Sequence, residues 1–267
     1  MSTVTTMDDT APLLLQRQQG GIAFVTLNRP AQFNALSEEM LAALESAFTR
    51  IAVDATVRVV VLAGEGRAFC AGHDLKQMRA HPNLDYYRRL FADCSRLMMR
   101  LQALPQPVIA RVHGIATAAG CQLVGMCDLA IAADDARFAV SGINVGLFCA
   151  TPSVALSRNV GRKAAFEMLV TGELIDATSA MQRGLINRCV PAERLDSEIE
   201  RLAAAIVAKP PAAIAKGKSL FYGQLELGVA AAYELAGEAM ACNMMESSAQ
   251  EGVAAFIEKR PPRWPAD

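Results

Sequence analysis

Three apolar runs constrain this chain most: Val57 to Gly64 (VRVVVLAG), Pro107 to Gly114 (PVIARVHG) and Asp128 to Asp135 (DLAIAADD). Each has the length of a strand and lacks the strict alternation of a half-exposed one, so each reads as a buried strand. Helical patterns stand between them. Ser37 precedes Glu38 to Ala52, where apolar residues recur at helical spacing, and its hydroxyl suits an N-cap. Asp85 to Ala103 reads as a helix that stops before Pro105, and Ala116 to Cys127 (ATAAGCQLVGMC) as a helix of small residues. Near the start, PLLLQR and GIAFVTLN flank Gln18-Gln19-Gly20-Gly21, the signature of a hairpin. Strands alternating with helices imply an α/β fold with a largely parallel sheet. From Ala192 onward the pattern is almost wholly helical. That tail is rich in Ala and Met with few charges, and two readings stand: an ordinary helical layer, or a layer that packs on another subunit.

Composition closes off several functions. Hydrophobic residues are 52% of the 267, charged residues 20%, and the net charge is -1, so a large core is available and a basic nucleic-acid face is not expected. The seven cysteines are scattered, with no C-x-x-C pair, and read as reduced core residues. The three histidines, His73, His81 and His113, show no zinc spacing, so no metal is expected. The first residues, MSTVTTMDDTAP, resemble neither a secretory signal nor a transit peptide, and no apolar run has the length of a membrane span. A cytoplasmic location is the default expectation.

Chemistry is concentrated in two turns. Phe69 to Lys76 (FCAGHDLK) follows one apolar run, and His113 to Leu123 (HGIATAAGCQL) follows another. Both are crowded with Gly and Ala, which let a ligand approach the backbone closely. The second leads into a helix, whose first N–H groups are unpaired and carry partial positive charge. Side by side, such turns could aim two N–H groups at one oxygen and make an oxyanion hole. Neither fits a dinucleotide or phosphate-loop motif.

The ordered motifs LNRPAQFNALS (27 to 37), VVVLAGEGRAFCAGHDLK (59 to 76), PVIARVHGIATAAGCQLVGMCDLAIA (107 to 132), RFAVSGINVGLF (137 to 148), LVTGELIDATSAMQRGLINRCVP (169 to 191) and FIEKRPPRW (256 to 264) resemble the enoyl-CoA hydratase/isomerase, or crotonase, family. Within it they are most similar to the subgroup named enoyl-CoA hydratase domain-containing protein 3. The resemblance implies an α/β spiral of repeated ββα units over residues 1–205. It also implies a C-terminal helical oligomerisation region over 206–267, in trimers or hexamers. It implies binding of acyl-CoA, with coenzyme A part of the substrate and no separate cofactor, and without nucleic acid or membrane partners. Position by position, the oxyanion donors fall on the backbone N–H of His73 and of Ala119. Coenzyme A contacts fall on Arg67, Ala71, Lys76 and Lys259, while Ala31 stands where the family often has a lysine. Asp74 is expected to brace its loop by accepting backbone hydrogen bonds.

By the same resemblance, the family's two catalytic glutamates fall on Gln122 and Gly142. An amide can orient water but is no base near neutral pH, and glycine has no side chain. Hydration is therefore expected to be weak. His73 could titrate near neutral pH and substitute, or merely line the pocket; Cys149 reads as a buried structural thiol. Besides a hydratase or isomerase, three readings stay open: decarboxylation of a malonyl-type thioester, which needs the oxyanion hole but no base; a catalytically silent acyl-CoA-binding protein; and an unrelated nucleotide-binding α/β protein.

Overall fold

A computed structural model describes residues 11–265, so most of the stretch read for targeting signals lies outside the described residues. The hairpin forms as expected. Strands β1 (Leu14–Gln19) and β2 (Ile22–Leu27) pair antiparallel, with Gln19 opposite Ile22. Both turn residues, Gly20 and Gly21, have positive φ, 58° and 80°, as a tight hairpin turn of matching twist requires. Helix α1 (Glu38–Ala52) begins at Ser37, whose hydroxyl accepts the Met40 N–H.

The chain then winds in strand–strand–helix units. The first is β3 (Val59–Gly64), β4 (Ala68–Cys70), then α2 (Leu75–Ala80) and α3 (Leu84–Ala103). The second is β5 (Val108–Val112), β6 (Ile115–Thr117) and α4 (Ala119–Met126). The third is β7 (Leu129–Ala133), β8 (Arg137–Ala139), then α5 (Ala150–Asn159) and α6 (Arg162–Thr171). A shorter turn of the spiral follows: β9 (Ile175–Asp176), α7 (Ala177–Gln182), β10 (Arg188–Val190) and α8 (Leu195–Val207). The first strand of each unit joins a six-stranded sheet of order β1-β2-β3-β5-β7-β10, and the second joins a four-stranded sheet of order β4-β6-β8-β9. Pairing is parallel except at β1–β2 and β8–β9. This is the spiral of ββα units that the family resemblance implies.

The large sheet is covered on both faces. Val60 and Leu62 of β3 point into the main core, while Val59 and Val61 meet Ile109, Ile131 and the Leu195, Ile199 and Ala203 face of α8. A strand buried on both sides reads as a continuous apolar run, and Val57 to Gly64 does. Two sequence expectations need correction. The run leading to FCAGHDLK is two strands in two sheets, parted by a turn at Glu65 to Arg67 with Gly66 at φ 78°. The small-residue helix starts at Ala119, because Ile115 to Thr117 pair with β4 and β8 as a strand.

Three further helices follow: α9 (Pro211–Leu225), α10 (Val229–Met244) and α11 (Ser247–Ile257). One buried network holds α9 to the core. The Lys218 ammonium on α9 donates to Asp128 Oδ2 (2.7 Å) and to the carbonyls of Leu101 (2.8 Å) and Gln106 (3.0 Å). Asp128 also accepts the Val108 N–H (2.6 Å) and the Tyr222 hydroxyl (2.8 Å). Otherwise these helices bury little within one chain. Lys218 is the sole buried residue of α9, and α10 has none. Tyr233, Met245 and Phe256 are 77%, 76% and 85% exposed.

Candidate active site

The two small-residue turns meet, and glycine makes the meeting possible. Gly72 has φ 96°; a methyl there would lie 2.9 Å from the Ala118 Cβ and 3.1 Å from the Ala119 nitrogen. Gly120 is tighter still, since a Cβ would fall 2.0 Å from the Cys70 carbonyl oxygen, so α4 starts pressed against the end of β4. Ala118, the N-cap of α4, sits at φ 50°, ψ -119°, a conformation that costs an L-residue about 1–3 kcal/mol and persists only where the surroundings enforce it. Its own N–H is held by the Ala139 carbonyl (2.9 Å). Among the described residues, neither the His73 N–H nor the Ala119 N–H donates a hydrogen bond. Both donors predicted from the sequence are thus free, on turns in direct contact.

The 27 to 37 motif clamps the first turn. Phe33 and Asn34 carry positive φ, 51° and 55°, which bends this segment over the strand end. The Phe33 carbonyl accepts the Ala71 N–H (3.0 Å), and the Leu36 N–H donates to the Gly72 carbonyl (2.8 Å). Asn34 is fully buried; its amide donates to the carbonyls of Ala68 (2.8 Å) and Glu65 (2.9 Å), and its oxygen accepts the Arg29 N–H (2.9 Å). Asn34 is a positioning residue that the sequence reading missed. The available signal was an asparagine, a residue tolerant of left-handed backbone, within a turn-rich motif. Asp74 behaves as expected: its carboxylate caps α2 by accepting the N–H groups of Lys76 (3.0 Å) and Gln77 (3.2 Å).

The turns open on a cavity of about 310 Å³, bounded by Ala71, His73, Ala118, Ala119 and Gly142 on the turn side. Leu75, Met78, Phe91, Val145, Leu147, Phe148 and Pro152 form much of the rest. The His73 ring meets Phe91 edge-on at 5.5 Å, and both ring nitrogens are shielded from solvent with no hydrogen-bond partner. Loss of solvation pushes its pKa below the ordinary 6.5, against a smaller opposing contribution from the Leu36 backbone. The expectation that His73 titrates near neutral pH is therefore corrected: the ring is neutral there.

The structure brings His73, Ala119 and Gly142 to one cavity, with Ala71 beside them. Gln122 lies one turn beyond Ala119 on α4, 5% exposed, and its Oε1 has no partner. Gly142 is crowded: a Cβ would fall 2.5 Å from the Leu147 carbonyl oxygen and 2.7 Å from Cys149 Sγ. Its φ is not positive, so the obstacle to a side chain there is packing rather than backbone strain. The Gly142 N–H donates to Cys149 Sγ (3.3 Å); burial pushes this thiol's pKa up, with that N–H working against it. The charged candidates stand outside the cavity wall. Arg67 lies over the Phe33 ring at 4.4 Å, Lys76 is exposed in the first turn of α2, and Lys259 is exposed just past α11.

Comparison with known proteins agrees with this geometry. The family model described as Enoyl-CoA hydratase/isomerase matches residues 17–267. The chain is 47% identical over 253 residues to enoyl-CoA hydratase domain-containing protein 3, mitochondrial, of Xenopus laevis, covering 95% of this chain and 86% of that protein. The human protein of the same name is 44% identical over 248 residues, covering 93% and 82%. Those names give no support to the cytoplasmic expectation. Among the described residues no helix is long and apolar enough to cross a membrane. The crystal structure of an enoyl-CoA hydratase from Mycobacterium smegmatis superposes with a TM-score of 0.94 at 65% identity, over 95% of this chain and 99% of that one. Ordered motifs, the doubled spiral and the paired turns all carry the same conclusion: this chain belongs to the enoyl-CoA hydratase/isomerase family.

Proposed function

We propose that the chain is an acyl-CoA thioester enzyme that stabilises a thioester enolate between the backbone N–H groups of His73 and Ala119. The observation that carries this reading is the pair of unpartnered amides held by Gly72 and Ala118 at an apolar cavity. A thioester oxygen between them accepts two hydrogen bonds, and Ala119 adds the positive end of the α4 dipole. Negative charge that moves onto that oxygen is stabilised, which acidifies the α-carbon and makes the β-carbon of an enoyl group electrophilic. Arg67, Lys76 and Lys259 are assigned to the coenzyme A portion by family resemblance, Lys259 from a neighbouring subunit.

Hydration adds OH to the β-carbon and a proton to the α-carbon, and each proton transfer benefits about 10²–10⁴-fold from a positioned acid or base. Gln122 and Gly142 are assigned to the positions of the family's two glutamates. No Asp or Glu lines the cavity among the described residues, and the one titratable ring there is neutral. Hydration of crotonyl-CoA is therefore expected far below the rate of a relative with both glutamates. The same observation favours a second reading, an acyl-CoA-binding protein without turnover. Calorimetric titration with acetyl-CoA against acetate tests binding; crotonyl-CoA turnover then separates the two. Absence of heat with acetyl-CoA at millimolar concentration would sink both, and ordinary hydratase rates would place the proton on another group. Restoring Glu at 142 is expected to fail in the intact loop, because Leu147 and Cys149 occupy its space. Gln122→Glu alone is the cleaner test of a gained base.

The exposed apolar faces of α9, α10 and α11 support a homotrimer or homohexamer. Light scattering that returns the mass of one chain at micromolar concentration would exclude it.

A further inference from the structure

We infer that the cavity selects uncharged, apolar acyl chains of medium length and rejects acyl chains that end in a carboxylate. This deepens the acyl-CoA reading above and rests on it. The cavity wall contains no Lys or Arg among the described residues, and its far side is aliphatic and aromatic: Leu75, Met78, Phe91, Leu147 and Phe148. The polar side chains that reach it, His73, Ser141, Cys149 and Thr151, are all neutral, His73 because burial holds its ring unprotonated. A carboxylate drawn against such a wall, where Leu75, Leu147 and Phe148 are 56%, 46% and 42% exposed, loses part of its hydration and meets no counter-charge, which costs binding. A methylene drawn into it gains, tightening binding about fourfold for each one fully buried. The cavity volume of about 310 Å³ sets the length. At the roughly 30 Å³ that one water occupies in the liquid, it holds on the order of ten such groups, the thioester included. Affinity should therefore climb from acetyl to octanoyl thioesters and level off beyond. Malonyl-type thioesters, whose second carboxylate would sit against this wall, should bind weakly for the same reason.

The test is a calorimetric series on the intact protein with free coenzyme A and with acetyl-, butanoyl-, octanoyl- and succinyl-CoA. Butanoyl and succinyl share a four-carbon backbone and differ by the terminal carboxylate. Octanoyl-CoA is expected to bind at least tenfold tighter than butanoyl-CoA, and succinyl-CoA at least tenfold weaker. Succinyl-CoA binding as tightly as butanoyl-CoA overturns the inference and leaves the acyl-CoA reading intact. If no thioester binds better than free coenzyme A, it is the acyl-CoA reading that fails. Leu75→Arg, a change at a half-exposed wall position, is expected to raise succinyl affinity and lower octanoyl affinity; an unchanged ratio of the two overturns the assignment of this wall to the acyl chain.

Discussion

Two buried polar groups in this molecule are treated in opposite ways. At Lys218 and Asp128 every donor is matched: three N–H bonds of the ammonium find three oxygens, and the carboxylate accepts from Lys218, Val108 and Tyr222. At His73 and Gln122, three shielded side-chain atoms have no partner, and two backbone amides beside them are free. A buried polar network that is complete holds parts together; one left incomplete is stable only because the surrounding packing carries its cost. At the cavity the free groups are open to a ligand, whereas at Lys218 and Asp128 the matched groups make a joint.

The largest effect should come from breaking the complete network. Asp128→Ala leaves the Lys218 ammonium buried without its counter-charge and the Val108 N–H unpaired. A loss of about 3–5 kcal/mol is expected, read from denaturant unfolding. Asp128→Asn, which keeps shape and hydrogen-bonding capacity, should lose less; equal losses would mean the charge of the side chain matters and its shape does not.

Next comes the geometry that leaves the amides free. Gly72→Ala puts a methyl at φ 96° against Ala118 and the Ala119 nitrogen, so a cost of about 1–3 kcal/mol is expected together with loss of acetyl-CoA binding. Binding that survives at full strength would remove His73 N–H from the oxyanion hole.

The smallest effect should come from the incomplete group itself. His73→Phe removes two unpartnered nitrogens while keeping an aromatic ring against Phe91, and stability at neutral pH should change by less than about 1 kcal/mol. Acid separates the two proteins. The folded-state pKa of His73 lies below the ordinary 6.5, so below pH 6.5 the unfolded chain binds a proton that the folded chain resists. Wild-type stability should therefore fall as pH drops from 6.5 toward the folded-state value, and thermal unfolding of His73→Phe should lack that part of the fall. Parallel pH profiles would show that the ring is solvated after all.

What could be read from the sequence was local. Gly20-Gly21 announced a hairpin, Ser37 a helix start, and Val57 to Gly64 a strand without a solvent face. The two-sheet winding was hidden because β4 is only Ala68 to Cys70, too short for a strand pattern, and the change of sheet leaves no trace in hydropathy. Strand β6 was hidden because Ile115 to Thr117 is short and runs directly into the small residues that open α4. Of the site, the paired amides at His73 and Ala119 came from motif resemblance. The burial of the His73 ring depends in part on Phe91, far along the chain on α3, and the crowding of Gly142 on a loop that folds back over it. Lys218 and Asp128 are 90 residues apart, and nothing near either one announces the other.

The order of strands also bears on how the chain is made. Both sheets grow outward in the order in which their strands are synthesised, β2-β3-β5-β7-β10 and β4-β6-β8-β9. Each newly emerged strand finds its pairing edge already in place, so the spiral suits growth from a ribosome one unit at a time. The exception is Asp128, which must wait for α9 before its carboxylate meets an ammonium. Until then the β5–β7 junction carries an unmatched charge, and release of the last helices from the ribosome becomes the event that seals the spiral.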